Sequence, residues 1–528
     1  MQAFPLIVPE IILVLGACIM FVGGTFRSDR HLWGVGALTI LMIAGWALWR
    51  SPPSSSSAVS LYAASIFVDQ PALLIRWMAL VGGIVLVLLS WNAISDSLAG
   101  EYHGCLLVIV AGLSLTGSAN DLVTLFLALE LISIPTYILL YLFRIDPAAQ
   151  EAALKYFLLS VFSSALLLFG FSYLYGLGGT TNIPAIADAL THSDEDGALA
   201  VRLPAVVLVA LVMIVSGLGF KITAVPFHFY APDVYQGTAT PAAALLAFVP
   251  KVAGFIALLR VLGFIGIDPR TSGLTLGSET PVFLWILAAF TMSLGNVLAL
   301  LQTNLKRLLA YSSVAHAGYM LVALAAASHL PASDKMAGLG GLGGVPAVLF
   351  YLIAYGGMTV GAFAVLAYLS TPERPVENED DLAGLSRSHP GLALMMTLFL
   401  FSLIGIPLTA GFVGKLLIFL GALSVEGDRA IFYRELALLM ALNAAIGAWY
   451  YLRIVTKMYL HTPIKPLEPA GVGRSWPVLA ALWICTVLTL GLGLPNPLTN
   501  RIMQIAAAPS IPKESNSPLA SNHPRPPR

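Results

Sequence analysis

The chain has 528 residues, of which 58% are hydrophobic and only 10% charged, and its mean hydropathy is +0.86. A soluble domain carries about 25% charged residues, so the composition excludes a soluble protein and requires an integral membrane one. Lysine plus arginine equal aspartate plus glutamate at 27 each, which leaves no electrostatic case for binding nucleic acid.

A membrane span needs about 20 apolar residues. Taken in chain order, such segments lie near 5–25, 31–50, 71–91, 104–119, 121–143, 152–176, 203–225, 239–263, 281–301, 307–329, 345–369, 391–420, 433–459 and 476–494, about fourteen in all. The expected fold is therefore an all-α polytopic membrane protein. The first segment, MQAFPLIVPEIILVLGACIMFVGG, has no basic leader and no small-residue cleavage site, so it reads as a retained helix. Only Ser118 to Asp121 separate the fourth and fifth segments, which predicts a tight helical hairpin. Aromatics at segment ends, such as Trp46, Trp49, Trp449, Tyr450 and Tyr451, suit interface anchoring. The polar stretches are short: SPPSSSS at 51–57, THSDEDG at 191–197 and TPERPVENEDD at 371–381. The Pro- and Ser-rich tail, 505–528, is expected to be disordered.

An even number of spans puts both termini on one side. With the N-terminus outside, ten basic residues fall in inside loops, Lys306, Arg307 and Lys457 among them, against seven outside, Arg260 among them. Basic residues favour the cytoplasmic side, so both termini are expected outside.

Three cysteines, Cys18, Cys105 and Cys485, stand alone in apolar segments, with no CxxC and no His/Cys cluster to hold zinc or an iron–sulfur centre. Neither a GxGxxG turn after a strand nor a Walker loop occurs, so no nucleotide site is encoded. The glycines of GLGGLGGV at 338–345 read as a loop.

An internal repeat is visible. SGLGFKITA at 216–224 and SLIGIPLTA at 402–410 share Ser, Gly, Thr and Ala at the same spacing. Each lies in a long apolar segment interrupted by proline, Pro226 or Pro407. Five segments separate the copies, and an odd offset inverts the topology of the second, as in transporters built from inverted repeats.

Few ionisable residues lie inside apolar segments. Glu130 sits in LFLALELISIPTYILL, Lys221 at the break of the seventh segment, and His228 seven residues on. Lys251 lies in ALLAFVPKVAGFIALL, His316 in LAYSSVAHAGYMLV, and Lys415 in GFVGKLLIFL. A charge at the centre of a bilayer costs about 2.5–3.5 kcal/mol or more. A lone histidine such as His316 reads equally well as a structural hydrogen bond. One acid and three lysines are too costly to keep for packing alone. Burial brings the pKa of a lysine down and that of a carboxyl up, so such groups exchange protons near neutral pH, and a chain of them linked by water is a proton relay. Proline frees a backbone carbonyl that must be satisfied by protein or water. Each break is therefore expected to be a hydrated, bendable point beside a lysine. Glu151 and Lys155 form an i, i+4 pair that reads equally well as a surface ion pair. Glu10 and Arg76 lie near helix ends and are expected to snorkel to the interface; Lys306 and Arg307 are expected to anchor it.

The motifs LFLALELISIPTYILLYL (125–142), EAALKYFLLSVFSSALLLFGFSYLYG (151–176), GLGFKITAVPFHFYAPDVYQGTATP (217–241), NLKRLLAYSSVAHAGYML (304–321) and SLIGIPLTAGFVGKL (402–416) carry a resemblance. Over about residues 5–495 the chain resembles the antiporter-like membrane subunits of respiratory complex I, the bacterial NADH-quinone oxidoreductase, and among them the subunit N branch. Lys415, where related subunits carry glutamate, and an end soon after the last span fit that branch. The resemblance implies fourteen helices with two inverted five-helix repeats, each forming a proton half-channel. It divides the chain into helices 1–3 (1–103), a first repeat (104–263), a second repeat (281–459) and a last helix (476–494). It implies that Glu130 pairs with Lys221 as modulator, Lys251 is the central relay, Lys415 the exit, His228 a polar link of the central axis, and Lys155 an accessory modulator; His316 is counted with them in the proton relay. It places NADH, FMN, the iron–sulfur clusters and quinone in partner subunits, with no cofactor and no metal in this chain. Its expected partners are neighbouring antiporter-like and small membrane subunits in a bacterial inner membrane. A cation/proton antiporter of the same superfamily is the alternative reading; a dedicated sodium site would favour more intramembrane carboxylates than Glu130. A third reading is a non-transporting scaffold, in which the charges only dock helices.

Overall fold

The computed structural model describes residues 4–51, 64–142, 146–190, 205–265, 279–327, 343–370, 375–427, 429–462 and 476–506. Every segment expected from the sequence falls on helix. The first six helices are α1 (Val8–Phe26), α2 (Arg30–Arg50), α3 (Gln70–Ser90), α4 (Ala99–Ser118), α5 (Leu122–Leu142) and α6 (Pro147–Gly178). The short α7 (Ile183–Leu190) precedes α8 (Ala205–Ile222), α9 (Ala231–Gly237) and α10 (Thr240–Ile265). Then come α11 (Glu279–Leu300), α12 (Leu305–Ala327), α13 (Val345–Leu369), α14 (Pro390–Ile404), α15 (Ala410–Leu423), α16 (Ala430–Leu460), α17 (Trp476–Gly491) and α18 (Pro497–Ala506). Twelve of the described helices are long and apolar enough to cross a membrane, and α14, α15 and α17 are shorter apolar ones. Among the described residues there is no strand, only isolated bridges such as Ile66 to Ala119.

Local chemistry sets several boundaries. Asp29 caps α2, accepting from the amides of His31 (2.9 Å) and Leu32 (3.2 Å). Asp146 caps α6, accepting from Ala149 (2.9 Å), with Pro147 in the first turn, where its missing N–H costs nothing. Gly179, with φ of 65°, ends that helix in the left-handed conformation. The expected hairpin between α4 and α5 is present and tied down: Phe67 donates to Ser118 O (2.9 Å) and Asn120 to Ser65 O (3.0 Å).

α10, α12 and α13 are buried nearly all round and form the centre, while α1, α2 and α16 present most of their surface outward. A helix apolar on all sides belongs inside a large bundle. These three also carry Lys251, His316 and a set of tyrosines, so the most buried helices hold the polar groups.

The two segments marked by Pro226 and Pro407 break as expected, whereas Pro135 and Pro250 lie inside continuous helices. The seventh ends at Ile222, followed by Thr223 at φ of 60° and a cis Val225–Pro226 bond, and resumes as α9. The twelfth ends at Ile404, with Gly405 at φ of 93° and Leu408 at 73°, and resumes as α15. The nine-residue match does not align the two helix ends: the residue that pairs with Ile222 is Leu408, four beyond Ile404. In the second break Gly411 lies against Ser402. Its amide donates to Ser402 Oγ (3.0 Å), and a Cβ would fall 1.9 Å from the Ser402 carbonyl oxygen. Backbone cannot yield as a side-chain tip can. Gly411→Ala is expected to cost about 3 kcal/mol or more, read as a lowered melting temperature of the detergent-solubilised protein.

Four expectations are corrected. Arg76 and Glu10 do not snorkel: Arg76 is fully buried, pairs with Glu10 (3.1 Å) and donates to Leu6 O (2.9 Å), and Ser114 donates to the same carboxylate. A charged pair near helix ends stays inside when three helices close over it, which no single helix reveals. Arg260 is not an outside-loop residue. It lies within α10, buried, with a two-armed contact to Asp69 (3.0 and 2.8 Å) and a bond to Gly117 O (3.0 Å). Lys306 is no interface anchor, for it is buried and donates to Thr238 O (2.7 Å). Removing Lys306 and Arg260 takes one residue from each side of the basic-residue comparison and leaves its sign unchanged. Finally, α18 was not expected, and Ile505 and Ala506, assigned to the disordered tail, belong to it; residues 507–528, like THSDEDG at 191–197, lie outside the described residues.

Candidate functional site

The ionisable residues picked from the sequence fall into linked polar clusters. In the first, α5 meets α6 and the end of α8. Ser164 donates to Glu130 Oε1 (2.5 Å), and Lys221 Nζ donates to Ser133 Oγ (2.7 Å). Ser133 lies one turn beyond Glu130, so both groups face the same side of α5. Glu130 and Lys221 make no direct ion pair; each bonds instead to a serine, Ser164 and Ser133. Ser163 donates to Gly217 O (2.6 Å) and holds α6 against α8.

The α8 break is capped without charge: Tyr230 OH donates to Phe220 O (2.9 Å), and the Ala224 amide to Gly219 O (2.8 Å). The end of α8 then packs on α10 at Gly254. A Cβ there would meet Ile222 at 2.5 Å and the Lys221 Cβ at 3.2 Å, so glycine permits the approach of Lys221 to the helix that carries Lys251.

Lys251 Nζ donates to Ser313 Oγ (2.5 Å) and to the Ser313 carbonyl, and lies 4.8 Å over the Tyr355 ring. A buried ammonium over an aromatic face gains about 2 kcal/mol or more. On α12, which carries Ser313, His316 shares hydrogen bonds with Tyr351 OH (2.6 Å, through Nδ1) and Tyr451 OH (3.2 Å, through Nε2), and Tyr451 also bonds to Ser312. The His316 ring touches Tyr355 (5.5 Å between centroids) and Tyr319 (5.4 Å). Tyr319 in turn lies under Lys415, whose Nζ is 4.8 Å from that ring. One imidazole therefore sits between the aromatic floors of two lysines.

Lys415 Nζ donates to Leu403 O (2.8 Å) and Ile404 O (2.9 Å), the last carbonyls of α14. Those are orphan acceptors at the negative end of a helix dipole, a favourable seat for an ammonium. The two breaks thus differ: a tyrosine caps the first and a lysine the second.

Two sequence-picked residues lie to the side of this axis. His228, half-buried in the segment between α8 and α9, stands 6.5 Å from the Tyr311 ring. Lys155 bonds to Glu151 (2.6 Å) and Asp233 (2.9 Å), and Asp233 to Arg307 (2.6 Å). This charged surface cluster ties α6, α9 and α12 together beside a polar cleft of about 370 Å³.

Sequence reading missed the hydroxyl groups Ser133, Ser164, Ser312, Ser313, Tyr319, Tyr351 and Tyr355, and it took Tyr450 and Tyr451 for interface anchors, whereas both are buried within α16. A signal was present, since Ser133, Ser312, Ser313 and Tyr319 lie three or four residues from Glu130 or His316, the spacing of one helix face. Nothing in the sequence pairs Tyr351 or Tyr451 with His316. Chemically, the set can take up, hold and pass protons: carboxylate, ammonium, imidazole and hydroxyl each exchange one. Among the described residues no group of three or more His, Cys, Asp or Glu is placed to hold a metal.

Comparison with known proteins identifies the family. The family described as "NADH:quinone oxidoreductase/Mrp antiporter, TM" matches residues 119–440. NADH-quinone oxidoreductase subunit N 1 of Solibacter usitatus is 37% identical over 492 residues, 92% of this chain and 93% of that one. A chain of respiratory complex I from Thermus thermophilus with bound aureothin superposes with a TM-score of 0.71 at 29% identity, covering 95% of this chain and all of that one. A chain of the Mrp complex from a Dietzia species shares the fold, with a TM-score of 0.76 at 20% identity over 96% of each chain. This multi-pass membrane protein belongs to the NADH:quinone oxidoreductase/Mrp antiporter family, with relatives named subunit N along nearly its whole length.

Proposed function

We propose that this chain is the proton-translocating membrane subunit of an NADH-quinone oxidoreductase, in which the axis from Glu130 to Lys415 is the proton path. The observation that carries the reading is the run of contacts between Lys251 and Lys415, centred on the most buried helices. Lys251 and Lys415 are joined through Ser313, Tyr355, His316 and Tyr319. In this reading the charge of Glu130 modulates Lys221. Lys221 hands a proton toward Lys251 across the Gly254 contact, and His316 relays it with Tyr351 and Tyr451. Lys415 releases it at the second break. His228 flanks the axis, and Lys155 with Asp233 tunes the surface beside the polar cleft. Broken helices suit this work, because a small backbone motion at Gly405 changes which carbonyls Lys415 can reach.

The wider assignment follows the same reading. Fourteen spans form two inverted repeats, 104–263 and 281–459, with helices 1–3 before them and the last helix, 476–494, after. The chain sits in a bacterial inner membrane with both termini on the outer side. Its partners are neighbouring antiporter-like and small membrane subunits. NADH, FMN, the iron–sulfur clusters and quinone are held by partner subunits, and energy reaches this chain through contacts with its membrane neighbours. The buried carboxylates Glu10 and Asp69 do not strengthen the antiporter alternative, because each is paired with an arginine.

The test is proton uptake by inverted membrane vesicles, with NADH oxidation followed in parallel, in cells with and without this chain. NADH-driven uptake that is lost without the chain and restored by it supports the reading. A chain-dependent sodium/proton exchange with no NADH-driven uptake replaces it with the antiporter.

A further inference from the structure

A cavity of about 440 Å³ opens where α3, α13 and α17 meet α18. Its walls are apolar, with Trp77 and Val81 on α3, Val360 on α13 and Leu488 on α17. The ring of Phe248 forms the floor, wedged where a Cβ on Gly82 or Gly356 would come within 2.5 Å of it. α18 lines one end with Ile502 and places Arg501 on the rim. That end is a boundary of the apolar layer, since α3 begins there at Gln70 and α17 ends there at Gly491. α18 is fixed in place: Asn496 caps it, accepting from the Thr499 amide (2.9 Å), and Thr499 Oγ1 donates to Leu494 O (3.2 Å). Arg501 is exposed and makes no ion pair among the described residues.

We propose that this cavity is a phospholipid site, with one acyl chain lying in the groove and the phosphate on Arg501. The walls are apolar throughout, and a hydrocarbon chain enters such a slot end-on. Position argues for the orientation, because the single cation sits where a headgroup would lie and the apolar walls run inward from it. A tail gains little by leaving other tails. Retention therefore rests on shape and on the charge-assisted bonds between guanidinium and phosphate. The site is independent of the proton path and holds whichever transport reading is right.

The test uses the assembled complex in membranes supplied with a phospholipid that carries a photoreactive diazirine on its acyl chain, followed by peptide mapping. Adducts are expected to concentrate on the α3 and α17 peptides around Val81 and Leu488, well above those on the lipid-facing surface of α2. Arg501→Gln is expected to lower the groove adducts about fivefold, the worth of one basic residue near a membrane surface. Val81→Trp, which fills the groove from an exposed position, is expected to remove them. Groove adducts no denser than those on α2, or unchanged in Arg501→Gln, overturn the proposal. So does capture of a neighbouring subunit's peptide by a photoreactive amino acid placed at Val81, which would make the occupant a protein. If Val81→Trp fails to assemble, the Arg501→Gln comparison decides alone.

Discussion

Lys221→Ala is expected to lower NADH-driven proton uptake and NADH oxidation together by at least about tenfold in an assembled complex. A positioned proton-transfer group is worth about 10²–10⁴ in rate, and water admitted at the α8 break recovers part of that. The reason lies in the geometry. Lys221 is the only amine that bonds to the Ser133 side of the Glu130 cluster among the described residues, and it abuts α10 at Gly254. Alanine leaves Ser133 without that donor and opens a gap that no neighbouring side chain fills. Oxidation falls with pumping because the two are coupled, so blocked protons stall the electrons. Normal pumping and oxidation by an assembled Lys221→Ala complex would make the lysine structural and remove the first link of the path. Lys415→Ala discriminates further. It leaves Leu403 and Ile404 carbonyls unmet at a broken helix, so part of its loss should be recovered by Lys415→Arg, which restores the bonds, while a proton-release defect remains because arginine stays charged.

The second large effect is on assembly, not transport. Arg260→Ala is expected to destabilise the protein by about 3–5 kcal/mol, the cost of stranding one member of a buried ion pair. Asp69 would keep its cap on α3, accepting from the Ala72 amide (2.8 Å), but would lose both bonds to the guanidinium. The Gly117 carbonyl, at the end of α4, would lose its donor as well. The measurement is the yield and melting temperature of the assembled complex in mild detergent. A double change, Asp69→Asn with Arg260→Gln, is expected to recover much of the loss, because asparagine still caps a helix and no charge is left unpaired. An Arg260→Ala complex of unchanged melting temperature would show that water reaches this pair.

Helix positions were legible because the bilayer leaves the backbone little choice. Every buried peptide group must bond within its own segment, so about 20 apolar residues in a row become helix whatever surrounds them. The same local logic marked the breaks. Proline removes a donor, and Pro226 and Pro407 announce two interruptions that the structure contains. The ionisable residues stood out by cost: against so apolar a background, Glu130, Lys221, Lys251, His316 and Lys415 are visible one at a time.

What each of those residues meets was not legible, because contact between spans is a property of packing. Glu130 and Lys221 look like an ion pair when paired by resemblance, yet the crossing of α5, α6 and α8 gives each a serine partner, Ser164 and Ser133. Arg260 and Arg76 each read as a residue near a helix end, and only the approach of α3 to α10 and of α1 to α3 and α4 turns them into buried partners of Asp69 and Glu10. Tyr351 and Tyr451 lie a hundred residues apart and meet on His316 because α12, α13 and α16 close around one imidazole. The sequence by itself determined where the chain crosses, where it bends and which protons it can carry, since those follow from hydrophobicity and backbone chemistry at single positions. The tertiary structure alone decided which of these groups meet, since side chains on different helices become neighbours only through the depth and angle at which the helices cross.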